Sequence, residues 1–107
     1  MLGVMSVNTI FYGVVEEEKE RNLERQIAYQ EEIDKLPKGY LNKKKSKGIE
    51  YYYLQRRDGE GFPSVYIGND EEVIEDLRKK IAKRKHYEGL VKKLKIEYKQ
   101  MCKVVKD

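Results

Sequence analysis

At 107 residues the chain is too short for two domains that each bury a useful core, so one domain spanning 1–107 is the expectation. Charged and apolar residues each make up 39% of it, more charge than a compact globule can hide, which favours long, surface-rich helices. The single cysteine, Cys102, excludes an internal disulfide and a cysteine-built zinc site, and no apolar run is long enough to span a bilayer.

Residues 1–15 form an apolar segment without the basic start of a secretory leader, and it runs directly into Glu16, Glu17 and Glu18, so it reads as part of the fold. Whether it continues the following helix or makes a separate short strand or turn is open, because Gly13 and the β-branched residues weaken a helix there. From Glu16 to Leu36 the chain is rich in helix formers and lacks glycine and proline, with Leu23, Ile27, Ile33 and Leu36 close to one helical face. Pro37 and Gly39 end this helix.

Between residues 39 and 68 the period changes to two. Turn signals at Ser46-Lys47-Gly48 and Asp58-Gly59-Glu60-Gly61 divide the stretch into strands at about 40–45, 49–57 and 62–67, joined as two antiparallel hairpins. In the central strand Ile49, Tyr51, Tyr53 and Gln55 share one face and Glu50, Tyr52, Leu54 and Arg56 the other, with Tyr52 and Leu54 taken as the buried pair. Pro63 in the third strand requires an edge position.

A second helix over 69–105 has Asn69 as the expected N-cap, Glu72 at the capping-box position, and Asp70 and Glu71 where the helix dipole favours acids. Its apolar residues, Val73, Ile74, Leu77, Ile81, Tyr87, Val91, Leu94, Tyr98, Met101 and Val105, take a coiled-coil spacing from Tyr87 onward, and Gly89 allows a kink. The predicted fold class is α+β, in the order α-β-β-β-α. Two long antiparallel helices flank a three-stranded antiparallel sheet, which closes one end, and Leu23, Ile27, Ile33 and Leu36 face the second helix. The second helix outlasts the first, so either the apolar N-terminus or a second copy of the chain, in a homodimer through the C-terminal helix, covers 98–105.

Charge is segregated along the chain. Residues 16–37 carry net −4, 38–57 net +6, 58–72 net −5 and 73–107 net +7. The basic block coincides with the tyrosine-rich strands: Lys38, Lys43, Lys44, Lys45, Lys47, Arg56 and Arg57 accompany Tyr51 and Tyr53. Cations meet phosphates and flat rings stack on unpaired bases, so this combination points to nucleic acid. The plainer reading is a half-exposed sheet that uses tyrosine pairs for stability and lysines to protect its edges. Arg78, Lys79, Lys80, Lys83, Arg84 and Lys85 add a second cluster, with Lys80 and Arg84 as further candidate contacts. Pairing with the acidic first helix is the plainer account of that cluster.

No catalytic, metal or cofactor motif accompanies these clusters. His86 lies among lysines on the expected polar side of the second helix, and it is about four helical turns from Cys102, too far for a dyad in one straight helix.

The run Leu36-Pro37-Lys38-Gly39-Tyr40-Leu41, then Lys43-Lys44-Lys45, Gly48-Ile49-Glu50-Tyr51-Tyr52-Tyr53-Leu54 and Tyr66-Ile67-Gly68, resembles a family of uncharacterised small proteins of phages and prophages of Gram-positive bacteria, over about residues 20–95. Tyr40, where serine is usual, and the apolar N-terminal extension depart from that pattern. The resemblance implies a mobile-element protein in the cytoplasm of a bacterial host, of two kinds. One is a non-enzymatic nucleic-acid-binding module; the other is an inhibitor of host defence, of anti-CRISPR type, that binds a nucleic-acid-processing partner such as a Cas nuclease.

Overall fold

The computed structural model describes residues 7–56 and 64–104. Along the chain lie α1 (Val7–Asp34), β1 (Tyr40–Ser46), β2 (Ile49–Gln55), β3 (Val65–Gly68) and α2 (Glu71–Val104). This is the expected α+β order. The segment before Glu16 is helical from Val7, so α1 runs through Gly13 without a break. The expectations for Arg57, Phe62, Pro63 and Val105 lie outside the described residues. No helix among the described residues is long and apolar enough to cross a membrane.

The chain divides into two compact units, Met1–Glu32 with Tyr87–Asp107, and Ile33–His86. In the first unit the two helices run antiparallel. Asn22 donates to the Leu94 carbonyl at 2.9 Å, the Tyr29 and Tyr87 rings stack at 5.5 Å, and the Lys19 ammonium lies 5.7 Å from the centre of the Tyr98 ring. The inward stripe of α1 here is therefore Val15, Lys19, Asn22, Gln26 and Tyr29, at alternating spacings of four and three, with Val15 and Asn22 buried and the other three half-buried. This corrects the expected facing of Leu23 and Ile27, which are 42% and 61% exposed. Three polar side chains hold inward positions because each finds a partner. Asn22 bonds Leu94 and accepts from Gln26 at 2.6 Å, and Lys19 reaches Glu16 at 3.3 Å. Desolvation pulls the Lys19 pKa down, but the hydrogen bond and charge of Glu16, with Cys102 and Tyr98 nearby, raise it overall. On α2 the expected seam is kept: Val91 is buried, and Tyr87, Leu94, Tyr98 and Met101 are half-buried.

In the second unit the sheet order is β1-β2-β3, antiparallel throughout, with a bulge between Tyr52 and Tyr53 against β3. Lys47 and Gly48, at φ of 52° and 81°, make the two-residue hairpin turn whose twist suits flanking strands. Gly39 has φ of 128°, and a Cβ there would collide with the Gln55 carbonyl, so only glycine fits where the chain enters β1. Ile33, Ile74 and Ile81 are the buried apolar residues of this unit.

Both helix ends in this unit are capped. The cap of α2 falls one residue after the expected Asn69, because the Asp70 carboxylate accepts from the Glu72 N–H at 3.0 Å and the Asp70 carbonyl from the Ile74 N–H at 3.0 Å. The last turn of α1 closes with the Leu36 N–H on the Ile33 carbonyl. There Arg84 donates at 2.7 Å to both the Ile33 and the Leu36 carbonyls, placing a cation at the negative end of the helix dipole.

Candidate nucleic-acid interface

The pleat decides which side chains of the sheet can act together. Residues opposite each other in an antiparallel pair share a face, and successive residues alternate. The register pairs Lys44 with Tyr51, Asn42 with Tyr53 and Tyr40 with Gln55 on one face, and across β2 it pairs Tyr53 with Tyr66. Lys43 opposes Tyr52, Lys45 opposes Glu50 and Leu41 opposes Leu54 on the other. The face of Tyr52 turns toward α2: the Arg78 guanidinium donates to the Tyr52 hydroxyl at 3.1 Å and lies 5.3 Å from its ring centre. Tyr52 and Leu54 are on the helix-facing side as expected, though both are half-buried.

The opposite face carries an aromatic cluster. The Tyr66 ring, on a residue 59% exposed, lies 6.1 Å from Tyr51 and 5.4 Å from Tyr53, the latter edge-on at 65°. The Lys44 ammonium sits 4.8 Å from the Tyr53 ring centre. At one end of the cluster Asn42 donates to Gln55 at 2.7 Å, and Gln55 donates to Ser64 at 2.8 Å, a polar ladder across three strands. At the other end lies the hairpin turn with Lys47.

The sorting of charge follows from the same alternation. Glu50 is the one acid within the three strands; it falls on the helix-facing side and pairs there with Lys43 at 3.5 Å. The strand positions of the aromatic face carry no carboxylate. Among the described residues no carboxylate lies within ion-pair distance of Lys44, Lys45 or Lys47.

The ten residues singled out in the sequence therefore do not form one surface. Lys44, Tyr51 and Tyr53 come together, with Lys47 in the adjoining turn. Lys43 and Lys45 are on the other face because they differ from Lys44 by one residue. Arg56 follows β2 and is engaged within the protein, and Arg57 lies outside the described residues. Lys80 pairs with Asp76 at 2.9 Å along α2. Arg84 is occupied with the α1 carbonyls and is half-buried, which takes it out of any open interface. Tyr66 is the member that sequence reasoning missed. The Tyr-Ile-Gly run marked it as strand, but a face could not be assigned across the bulge.

A groove of about 1010 Å³ opens beside Glu50, Tyr52, Glu71, Glu75, Asp76 and Arg78. No group of histidine, cysteine or carboxylate side chains suited to a metal ion occurs among the described residues. The chain matches no family model, no curated protein and no solved structure.

Proposed function

We propose that this protein is a non-enzymatic nucleic-acid-binding module that takes an unpaired strand across the Tyr51, Tyr53 and Tyr66 face. Exposed rings stack on bases only where those bases are not already stacked in a duplex, so the aromatic cluster favours single strands. Lys44 and Lys47 supply cations for the phosphates, and the Asn42, Gln55 and Ser64 ladder supplies polar groups at the far end. The observation that carries this reading is the pleat itself, which removes the strand carboxylate from the face that keeps the rings and Lys44.

Titration of labelled oligonucleotides followed by fluorescence anisotropy tests it. Single-stranded DNA or RNA binds more tightly than a duplex of the same length, and binding weakens as salt rises. With two or three phosphates neutralised, the slope of log K against log salt is about −1.5 to −2. Equal or tighter binding to duplex, or no binding to either at low salt, overturns the proposal.

A further inference from the structure

The first turns of α1 carry no charged side chain, and Glu16 is the first in the sequence. Ile10, Phe11, Tyr12 and Val14 stand there between 45% and 52% exposed, while Val15 turns inward and is buried. The Phe11 and Tyr12 rings lie 5.9 Å apart, tilted at 52°, so the two aromatic side chains form one surface. At about 150–250 Å² for each aromatic side chain, the four together leave roughly 400 Å² of largely apolar surface open, a patch of the size that marks a contact site.

The shape of the patch decides what covers it. At roughly 100° per residue, Ile10, Val14 and Phe11 lie about 140°, 100° and 40° to one side of the inward Val15, and Tyr12 about 60° to the other. One helix laid alongside covers an arc of about 100°, so a second copy leaves Ile10 or Tyr12 in water. The open area is also only about half of the roughly 800 Å² that each partner buries in a stable protein interface. Acyl chains have no such limit, because they close around a helix from every open side. Ile10 precedes Glu16 by about 9 Å of helical rise, which matches the roughly 5–10 Å to which interfacial helices bury their apolar side chains. At the border, Glu16, Glu17 and Glu18 are paired with Lys19 and Arg21, which lowers the cost of bringing these carboxylates close to a membrane.

We infer that the start of α1 seats in one leaflet of a lipid bilayer, with Ile10, Phe11 and Val14 at the acyl boundary, Tyr12 at the headgroups and the ion-paired acids from Glu16 onward in water. Tyrosine suits that position because its ring is apolar and its hydroxyl is not. The charges from Glu16 onward keep the rest of α1 out of the hydrocarbon, so the helix enters the surface and does not cross. Apolar burial drives the contact, so it needs no anionic lipid and persists when salt screens charges. This contact uses α1 and not the sheet, and is therefore independent of the nucleic-acid reading.

The chain has no tryptophan, so Phe11→Trp in the full-length protein places a single reporter in the patch. Its emission shifts to the blue when phosphatidylcholine vesicles are added, and vesicles with brominated acyl chains quench it. Ile96→Trp, at an exposed position of α2 in the same unit, keeps its aqueous emission. Wild-type protein co-sediments with these vesicles in low and high salt at about 1 mM lipid, roughly ten times the level that half-binds a single myristoyl chain. Ile10→Ser with Val14→Ser lowers the partition at least about tenfold through lost apolar area, with far-UV circular dichroism showing the variant folded; should it not fold, Ile10→Ser alone lowers the partition about threefold. Wild-type protein that stays in the supernatant, a folded double-serine variant that still binds, binding that salt removes, or an Ile96→Trp shift as large as that of Phe11→Trp overturns the inference. So does a Phe11→Trp emission that is already blue-shifted without lipid and depends on protein concentration, as a second copy over the patch produces.

Discussion

Asn22, 2% exposed on α1, donates its side-chain amide to the main-chain carbonyl of Leu94 on α2 at 2.9 Å. A polar residue at an inward position of a helix pair costs stability relative to an apolar one, yet it fixes which residues lie opposite each other. Here it sets the register in which Tyr29 stacks on Tyr87 and Lys19 covers Tyr98.

Replacing Asn22 separates these two effects. Asn22→Ala removes the hydrogen bond and leaves a void, lowering stability by roughly 1–3 kcal/mol in urea denaturation. Asn22→Leu fills the site with apolar volume, and its stability matches or exceeds that of the wild type. An Asn22→Leu variant as unstable as Asn22→Ala contradicts the assignment.

Arg84 was a candidate for ligand contact on charge alone, but its guanidinium bonds two carbonyls at the end of α1. Arg84→Ala is expected to cost about 1.5–3 kcal/mol, the range for hydrogen bonds to a charged group. Arg84→Lys recovers part of this, since one ammonium keeps the charge without the fork. At temperatures where each variant remains folded, oligonucleotide affinity is unchanged; a large loss of affinity with unchanged stability would reverse the assignment.

Lys47 holds φ of 52°, a region in which asparagine is more comfortable than lysine. Lys47→Asn should raise stability by a few tenths of a kcal/mol, up to about 1. In the same variant the salt slope of oligonucleotide binding becomes shallower by about 0.7 through loss of one phosphate contact. Calorimetry and anisotropy on one preparation read both changes, and an unchanged slope removes Lys47 from the interface.

Tyr66 contributes its ring. Tyr66→Leu should lose about 1–3 kcal/mol of single-strand affinity, the usual worth of a base stacked on an aromatic residue, whereas Tyr66→Phe keeps most of it. If Leu and Phe behave alike in the anisotropy titration, stacking is not the mode of binding.

The fold order was legible because its punctuation is local. Pro37 and Gly39 end α1, Lys47-Gly48 makes the hairpin turn, and acids gather at the start of α2. The inward face of α1 was not legible. Its apolar residues lie all round the helix, and the inward positions include Lys19, Asn22 and Gln26, which are tolerated only through partners such as the Leu94 carbonyl that no sequence pattern displays. The candidate site was half legible. Alternation alone puts Tyr51 with Tyr53, but the grouping of Lys44 with them, and of Lys43 with Glu50, depends on the hairpin register; Tyr66 depends further on the bulge at Tyr52 and Tyr53.

The most direct test of the proposed face is the set of tyrosine ring resonances during titration with a short single-stranded oligonucleotide. Ring currents from stacked bases should shift the Tyr51, Tyr53 and Tyr66 ring signals, and leave those of Tyr52, which faces α2, and of Tyr87 and Tyr98 in the helix pair where they were. Saturating oligonucleotide that leaves the first three unmoved, or that moves Tyr87 and Tyr98 instead, contradicts the assignment of the sheet as the binding surface.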